Sequence, residues 1–293
     1  MLAALVAAFL FIVVPCFFTA LITHRQFHYL DSNDGKTPKS YGLDFEWVEF
    51  KSLDGITLRG WYVPAEGSPR GTIVYCHGLN RTRIELLPDA VFGHSLDYNG
   101  LLFDFRHQGM SDGAITTLGY QERLDVEGAV KFAFDQQKPV RPMVVWGVSM
   151  GAAAGLMAAA DSSDIAAVIS DSSFDSFMGT LRHHLKLFLH FPGFPIANEV
   201  GYWTAWRGNF NPGDFDLVNA VERIGPRPIL FVAVEGDRRM PPAIAQTLYD
   251  HAQSPLKKII VLPGRRHGEG FNQATVPYEK AVTDFLASLP AGR

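Results

Sequence analysis

Cysteine is nearly absent. Cys16 and Cys76 are the only two in 293 residues. One lies inside the first apolar run and the other inside a run patterned like a buried strand, so neither a disulfide framework nor a cysteine metal site is expected. A basic excess is also lacking: 26 Lys plus Arg stand against 30 Asp plus Glu, a formal charge of -4. No broad cationic surface is then available to neutralise phosphates, which argues against nucleic acid as a partner. No internal repeat is present, and 47% hydrophobic content rules out a globally disordered chain. That content supplies one substantial core, so one domain with elaborations accounts for the length.

The longest stretch without charge is Leu2 to Thr23. As a helix, 22 residues extend about 33 Å, enough to span a bilayer. Residues 1–23 are therefore expected to be a membrane anchor, with a cleaved signal peptide as the alternative. No basic side chain precedes the run and no small-x-small pattern precedes His24, which favours the uncleaved form. Pro15 would kink such a helix without forbidding it. Arg25 weakly favours a cytoplasmic catalytic domain, and the side of the membrane stays open. Residues 24–42, including the polar and Gly/Pro-broken stretch Asp31 to Ser40, read as a tether to a folded domain over 43–293.

Within that domain Phe45 to Lys51 and Ile56 to Val63 read as a hairpin turned at Asp54-Gly55. Gly71 to Cys76, Gly100 to Asp104, Met143 to Trp146, Ile165 to Ser170, Pro228 to Val234 and Lys257 to Leu262 are apolar runs of buried-strand length. Helical patterns over Tyr120 to Gln136, Met150 to Ala160, Pro241 to Ala252 and Phe271 to Leu289 alternate with them. That alternation predicts an α/β fold with a mostly parallel sheet. The interval 174–225 is too long for a bare loop and rich in aromatics, among them Phe177, Phe188, Phe191, Phe194, Tyr202, Trp203, Trp206 and Phe210. It is expected to form a small helical cap whose aromatics either line a substrate pocket or add to the core.

Chemistry concentrates at three strand ends. Gly147-Val-Ser-Met-Gly151 follows an apolar strand and opens an Ala/Gly-rich helix, the strand, turn and helix setting of a nucleophile elbow. Small residues at 147 and 151 allow the sharp turn, and the turn exposes the Ser149 hydroxyl. A serine needs a base and a group that orients the base. His267 and Asp237, each just past a late strand, fill those roles, as general base and acid and as orienting carboxylate. Glu235 is the rival carboxylate. His107 precedes the serine and belongs more readily to a structural turn, and His183, His184 and His190 lack the acidic ligands of a metal site, so no metal is expected. His77-Gly78-Leu79 follows the strand Gly71 to Cys76, and the backbone N–H groups of Leu79 and Met150 are the expected oxyanion hole, with Gly78 permitting the turn. Asn80-Arg-Thr82 also matches a glycosylation sequon.

With these motifs the chain resembles the α/β-hydrolase superfamily, especially its esterase, lipase-like and serine-aminopeptidase-like members, over Phe45 to Leu289. His77-Gly78 matches the oxyanion loop, Gly147 to Gly151 the elbow, Asp237-x-x-Met-Pro-Pro242 the acid loop and Gly264-x-x-His267 the histidine loop. Asp104-x-Arg106-x-x-Gly109-x-Ser111 looks like the turn after the fourth strand, where Asp104 and Arg106 support structure. One departure is Val234, where the superfamily often carries Gly three positions before the acid. The resemblance implies an eight-stranded sheet in the order 1-2-4-3-5-6-7-8 with a cap between strands six and seven, and no cofactor. It further implies a serine hydrolase acting through an acyl-enzyme on an ester or related acyl bond. Aromatic richness of the cap and the apolar N-terminal run point to an apolar or lipid-like small-molecule substrate. A peptide or amide hydrolase, and an inactive membrane-tethered binding module, are the alternatives.

Overall fold

The computed structural model describes residues 1–2, 9–24, 31–136, 140–190 and 193–290. Eight strands appear in chain order as Glu46–Lys51 (β1), Thr57–Val63 (β2), Gly71–Cys76 (β3), Tyr98–Asp104 (β4), Met143–Val148 (β5), Ala167–Asp171 (β6), Ile229–Val234 (β7) and Lys258–Leu262 (β8). They form one sheet in the order β1-β2-β4-β3-β5-β6-β7-β8. The expected α/β-hydrolase topology is therefore present, including the antiparallel entry: β1 pairs antiparallel with β2 and β2 with β4, and every later pair is parallel. Gly55, with φ of 91°, takes the left-handed position in the β1–β2 connection.

Both faces of the sheet are covered, which is why its central strands read as unbroken apolar runs. Ile73, Tyr75, Val144 and Trp146 point to one face with Leu87, Tyr278 and Phe285. Their alternates Val74, Cys76 and Val145 point to the other with Val126, Val130 and Leu156. Each fully buried side chain of this size contributes about 1.5–3 kcal/mol. The covering helices are Leu87–Ser95 (α2), Glu122–Gln136 (α3), Met150–Asp161 (α4), Leu217–Ile224 (α7), Pro242–His251 (α8) and Thr275–Ala287 (α9). Sequence pattern did not predict α2, because buried Asp89 interrupts the apolar face that Leu87 and Ala90 define. The single helix expected over Phe271 to Leu289 is two pieces, a turn at Gly270–Gln273 and then α9, divided at Ala274 with φ -143° and ψ 50°.

The cap contains Phe177–Leu189 (α5) and Asn198–Arg207 (α6). Helix α7 sits instead against α4 in the layer flanking the sheet, with Asp216 capping it by accepting the N–H of Val218 and Asn219 at 3.0 and 3.2 Å. The cap aromatics divide. Phe177 is buried and faces a cavity that Phe188 also lines, whereas Phe210 stacks on Tyr120 at 4.5 Å and belongs to the core. Phe194, Tyr202 and Trp206 are exposed, and Phe191 lies outside the described residues.

The N-terminal run, expected to be an anchor and tether, is described in part. Residues 3–8 and 25–30 lie outside the described residues, and among those described no helix is long and apolar enough to cross a membrane. A helix at Val14–Thr23 (α1) docks on α6. Its face Pro15, Thr19, Thr23 is buried: Thr19 Oγ1 donates to Val200 O at 3.4 Å, and Thr23 O accepts the Thr116 N–H at 2.9 Å. The run reads as evenly apolar because one side of α1 meets the cap and the other, with Phe17, is exposed. Residues 31–42 also lie against the body rather than free in solvent. Asn33 is buried and donates to Ile84 O at 3.4 Å, and Asp31 lies 3.7 Å from Arg81.

Helix α4 enters so close to the end of β3 that a Cβ at Gly151 would stand 2.0 Å from Cys76 O and 2.7 Å from His77 O. Backbone is the obstacle on every side, so no side chain can move to relieve it. Gly151→Ala is expected to lower unfolding free energy by about 3 kcal/mol or to prevent folding. Urea denaturation followed by circular dichroism measures it, and a stability within about 0.5 kcal/mol of the parent would contradict this packing.

Candidate active site

Strand β5 runs directly into α4 through Ser149, whose φ of 54° and ψ of -114° place a non-glycine residue in a region that side chains rarely occupy. The strain is held from several directions. Ser149 N–H donates to Asp171 O at 2.8 Å, its carbonyl accepts the Ala153 N–H at 3.0 Å, and a Cβ at Gly147 would stand 2.4 Å from the Gly151 carbonyl. The turn lifts the hydroxyl off the end of the sheet, where the positive end of α4 and its unpaired N–H groups also point.

His267 and Asp237 converge on that hydroxyl from loops after β8 and β7. His267 Nε2 lies 2.8 Å from Ser149 Oγ, and its Nδ1 lies 2.7 Å from Asp237 Oδ2. The other carboxylate oxygen, Oδ1, accepts the N–H groups of Arg239 and Met240 at 2.8 and 3.0 Å. Burial alone would raise the Asp237 pKa. The His267 hydrogen bond and charge, with the two amides, outweigh it and hold the carboxyl below its ordinary value. A carboxylate held in this way fixes His267 with its proton on Nδ1 and leaves Nε2 to accept one from Ser149. Val234 does not disturb the acid loop. Its carbonyl accepts the Asp237 N–H at 3.1 Å while Gly236 N–H donates to Gly264 O at 3.0 Å. The rival Glu235 is exposed and is not among the partners of His267.

The remaining histidines have other partners. His107, at φ 59°, lies 3.2 Å through Nδ1 from Gly113 O in the turn after β4. In that turn Asp104 accepts Arg83 and the Met110 N–H, and Arg106 grips Asp125 and Asp54, as expected for supports. On α5, His183 Nε2 lies 2.8 Å from Arg238 O and His184 Nε2 lies 3.3 Å from Arg239 O, which ties the cap to the acid loop. Burial, with the Arg239 charge, pushes His184 down to about 4. Among the described residues no group of three or more His, Cys, Asp or Glu is arranged to hold a metal ion.

The loop after β3 is riveted by His77. Its buried Nε2 accepts the Phe105 N–H at 3.0 Å, so the proton sits on Nδ1 and is donated to Gly78 O at 2.8 Å. Gly78 N–H donates to Glu85 Oε2 at 2.6 Å. The N–H groups of Leu79 and Met150 have no acceptor among the described residues. Two such donors beside Ser149 are what a developing oxyanion requires, and removing one from such a site typically costs about 3 kcal/mol in the transition state.

Two residues of this neighbourhood escaped sequence reasoning because no motif marks them. Glu85 is raised to about 7, chiefly by burial, despite its bonds to Gly78 and Arg81. Asp171 is raised to about 6, again chiefly by burial, with its oxygens bonded to Ser172 Oγ at 2.7 Å and Tyr278 OH at 2.9 Å. A cavity of about 280 Å³ opens from Ser149 and runs under the cap with nearly wholly apolar walls, including Phe177, Leu185 and Phe188. A smaller, polar recess of about 90 Å³ lies on the other side of Ser149, bordered by Asn80, Arg81, Arg239 and His267. The sequon asparagine thus borders the site itself.

The sheet order is that of the α/β-hydrolase fold, and the family model described as alpha/beta hydrolase fold matches residues 71–195, from β3 through the elbow into the cap. YqkD of Bacillus subtilis is 25% identical over 240 residues, 81% of this chain and 78% of YqkD. Polyketide transferase ATR5 of Stachybotrys chlorohalonatus is 27% identical, covering 82% of this chain and 98% of ATR5. Among solved structures, the Pyrococcus furiosus esterase Pf2001 superposes with a TM-score of 0.75 at 23% identity, over 92% of this chain and 99% of that one. At that identity the likeness establishes the fold.

Glu85 gives the site a measurable dependence on pH. Its folded-state value of about 7 lies above the ordinary 4.5, so the folded chain holds this proton more tightly than the unfolded chain does. The stability it contributes is fully present below about 4.5 and is lost as pH rises through about 7. Glu85→Gln keeps an acceptor for Gly78 and removes the titration. Between about pH 5 and pH 7.5 the parent's Tm is expected to fall relative to the variant's by a few degrees. Parallel Tm profiles would refute the role of burial at this carboxyl.

Proposed function

We propose that this protein is a serine hydrolase that cleaves a carboxylic ester or related acyl bond through an acyl-enzyme, with Ser149, His267 and Asp237 as catalytic residues. The observation that carries the reading is the 2.8 Å approach of His267 Nε2 to Ser149 Oγ, with His267 Nδ1 fixed at 2.7 Å by Asp237. Ser149 attacks the acyl carbon as His267 takes its proton. The oxyanion is met by the N–H groups of Leu79 and Met150, and Gly78 and His77 hold that loop in place. Collapse of the tetrahedral species expels the alcohol, which takes the proton from His267. Water, activated by the same histidine, then releases the acid and regenerates Ser149.

The apolar cavity supports an apolar or lipid-like acyl group. The exposed Phe11, Ile12, Val13 and Phe17 of the N-terminal segment support contact with a membrane surface, and flotation of the full chain with phospholipid vesicles tests it. Similarity to a polyketide transferase favours a second reading of the same site, in which an alcohol rather than water takes the acyl group. An ester product formed when alcohols are added to the assay distinguishes the two.

A fluorophosphonate probe is expected to label the parent protein on Ser149, located by peptide mapping. Ser149→Ala and His267→Ala should each lower kcat on a soluble ester by roughly four orders of magnitude or more, and Asp237→Asn by about 10³ to 10⁴. Glu235→Gln should retain activity; if it abolishes turnover while Asp237→Asn does not, the acid is wrongly assigned. A folded parent that is neither labelled nor active on short esters, long esters and peptide amides would favour a binding module.

A further inference from the structure

The cavity beside Ser149 has one wall that neither the sheet nor the cap provides. Phe18 and Ile22, four residues apart on α1, line it together with Phe177, Leu181 and Leu185 of α5. Neither side chain is fully buried. They pack against the edge of the core and also front open volume, which protein interiors close to crystal-like density unless something else is to occupy it.

The helix is also held in place by bonds specific to that position. Thr116 N–H donates to Thr23 O at 2.9 Å, Thr19 Oγ1 donates to Val200 O at 3.4 Å, and the Thr204 hydroxyl lies 3.5 Å from that of Thr19. At its end, Arg207 lies 2.9 Å from His24. Three sides of α1 therefore do three things. Pro15, Thr19 and Thr23 seat it on the cap, Phe18 and Ile22 face the cavity, and Phe17 is left outside.

We propose that α1 is part of the substrate site, with Phe18 and Ile22 forming one side of a channel that holds a neutral, unbranched acyl chain against α5 and sets the acyl length that Ser149 accepts. The proposal rests on the hydrolase reading above. Among the described residues, the polar groups on the cavity, namely Ser149, Thr180, His184 and Arg239, include no carboxylate, and with His184 held neutral above about pH 4 Arg239 is the one charged group of that set. An apolar chain enters such a channel without stranding a buried charge.

The full-length chain carrying Phe18→Ala, Ile22→Trp or Phe17→Ala is assayed on p-nitrophenyl acetate and p-nitrophenyl octanoate. The first removes contact with the chain and the second fills the channel. In both, kcat/KM for octanoate relative to acetate is expected to fall about tenfold. Phe17→Ala, on the exposed side of the same helix, should leave the ratio unchanged. A ratio within about twofold of the parent in both channel variants overturns the proposal, as does an equal shift in Phe17→Ala. If the alanine variant fails to fold, Ile22→Trp keeps that side apolar and decides alone.

Failure of the hydrolase reading is read separately. In a Ser149→Ala background, binding of the fluorescent fatty acid dansyl-undecanoate should weaken about tenfold on adding Ile22→Trp. Weakened binding without hydrolysis in the parent leaves the channel and removes the enzyme. Unchanged binding removes the channel.

Discussion

The backbone of Ser149 sits where few side chains can, and much of the molecule exists to keep it there. A φ of 54° outside glycine is disfavoured by roughly 1–3 kcal/mol and persists only where the surroundings leave no alternative. Here β5 supplies the approach, Asp171 O takes the serine amide, and Gly147 and Gly151 permit α4 to touch the ends of β3 and β5. If α4 were displaced outward, Ser149 would move from His267, the Met150 N–H would lose its aim, and the entrance to the apolar cavity would change shape. The hydrophobic layers on both faces of the sheet supply the stability that such a conformation draws on.

Buried acids surround this strained turn, and they are held in opposite ways. Asp237 accepts two amides and faces His267, so the charged form is favoured in spite of burial. Glu85 and Asp171 have fewer compensating partners for their depth, so burial prevails and the proton is held more tightly. Three carboxyls within one region are thus shifted in different directions because of the donors each one faces.

The sheet was legible in sequence because buried parallel strands leave uninterrupted apolar runs, and Gly71–Cys76 is bounded as its composition predicts. The elbow was legible because its close contacts admit only small residues at 147 and 151. Asp237 was separable from Glu235 by position past β7, and the loop tolerates Val234 because that residue contributes its carbonyl to the turn. The docking of α1 on α6 was not legible. An uncharged run scores alike whether it meets lipid, cap or cavity, and the two threonines that seat it look neutral until α6 is in place. Glu85 and Asp171 were hidden for a related reason, since their significance comes from depth and neighbours brought together only by folding.

His183 and His184 join the roof of the cavity to the loop that carries the acid. The carbonyls they meet belong to Arg238 and Arg239, the next two residues after Asp237, and the Arg239 amide is itself one of the donors to that carboxylate. An outward swing of α5 must release both bonds. The roof of the cavity and the loop that carries Asp237 are therefore bound to each other at two adjacent carbonyls, beside the amide that holds the carboxylate facing His267.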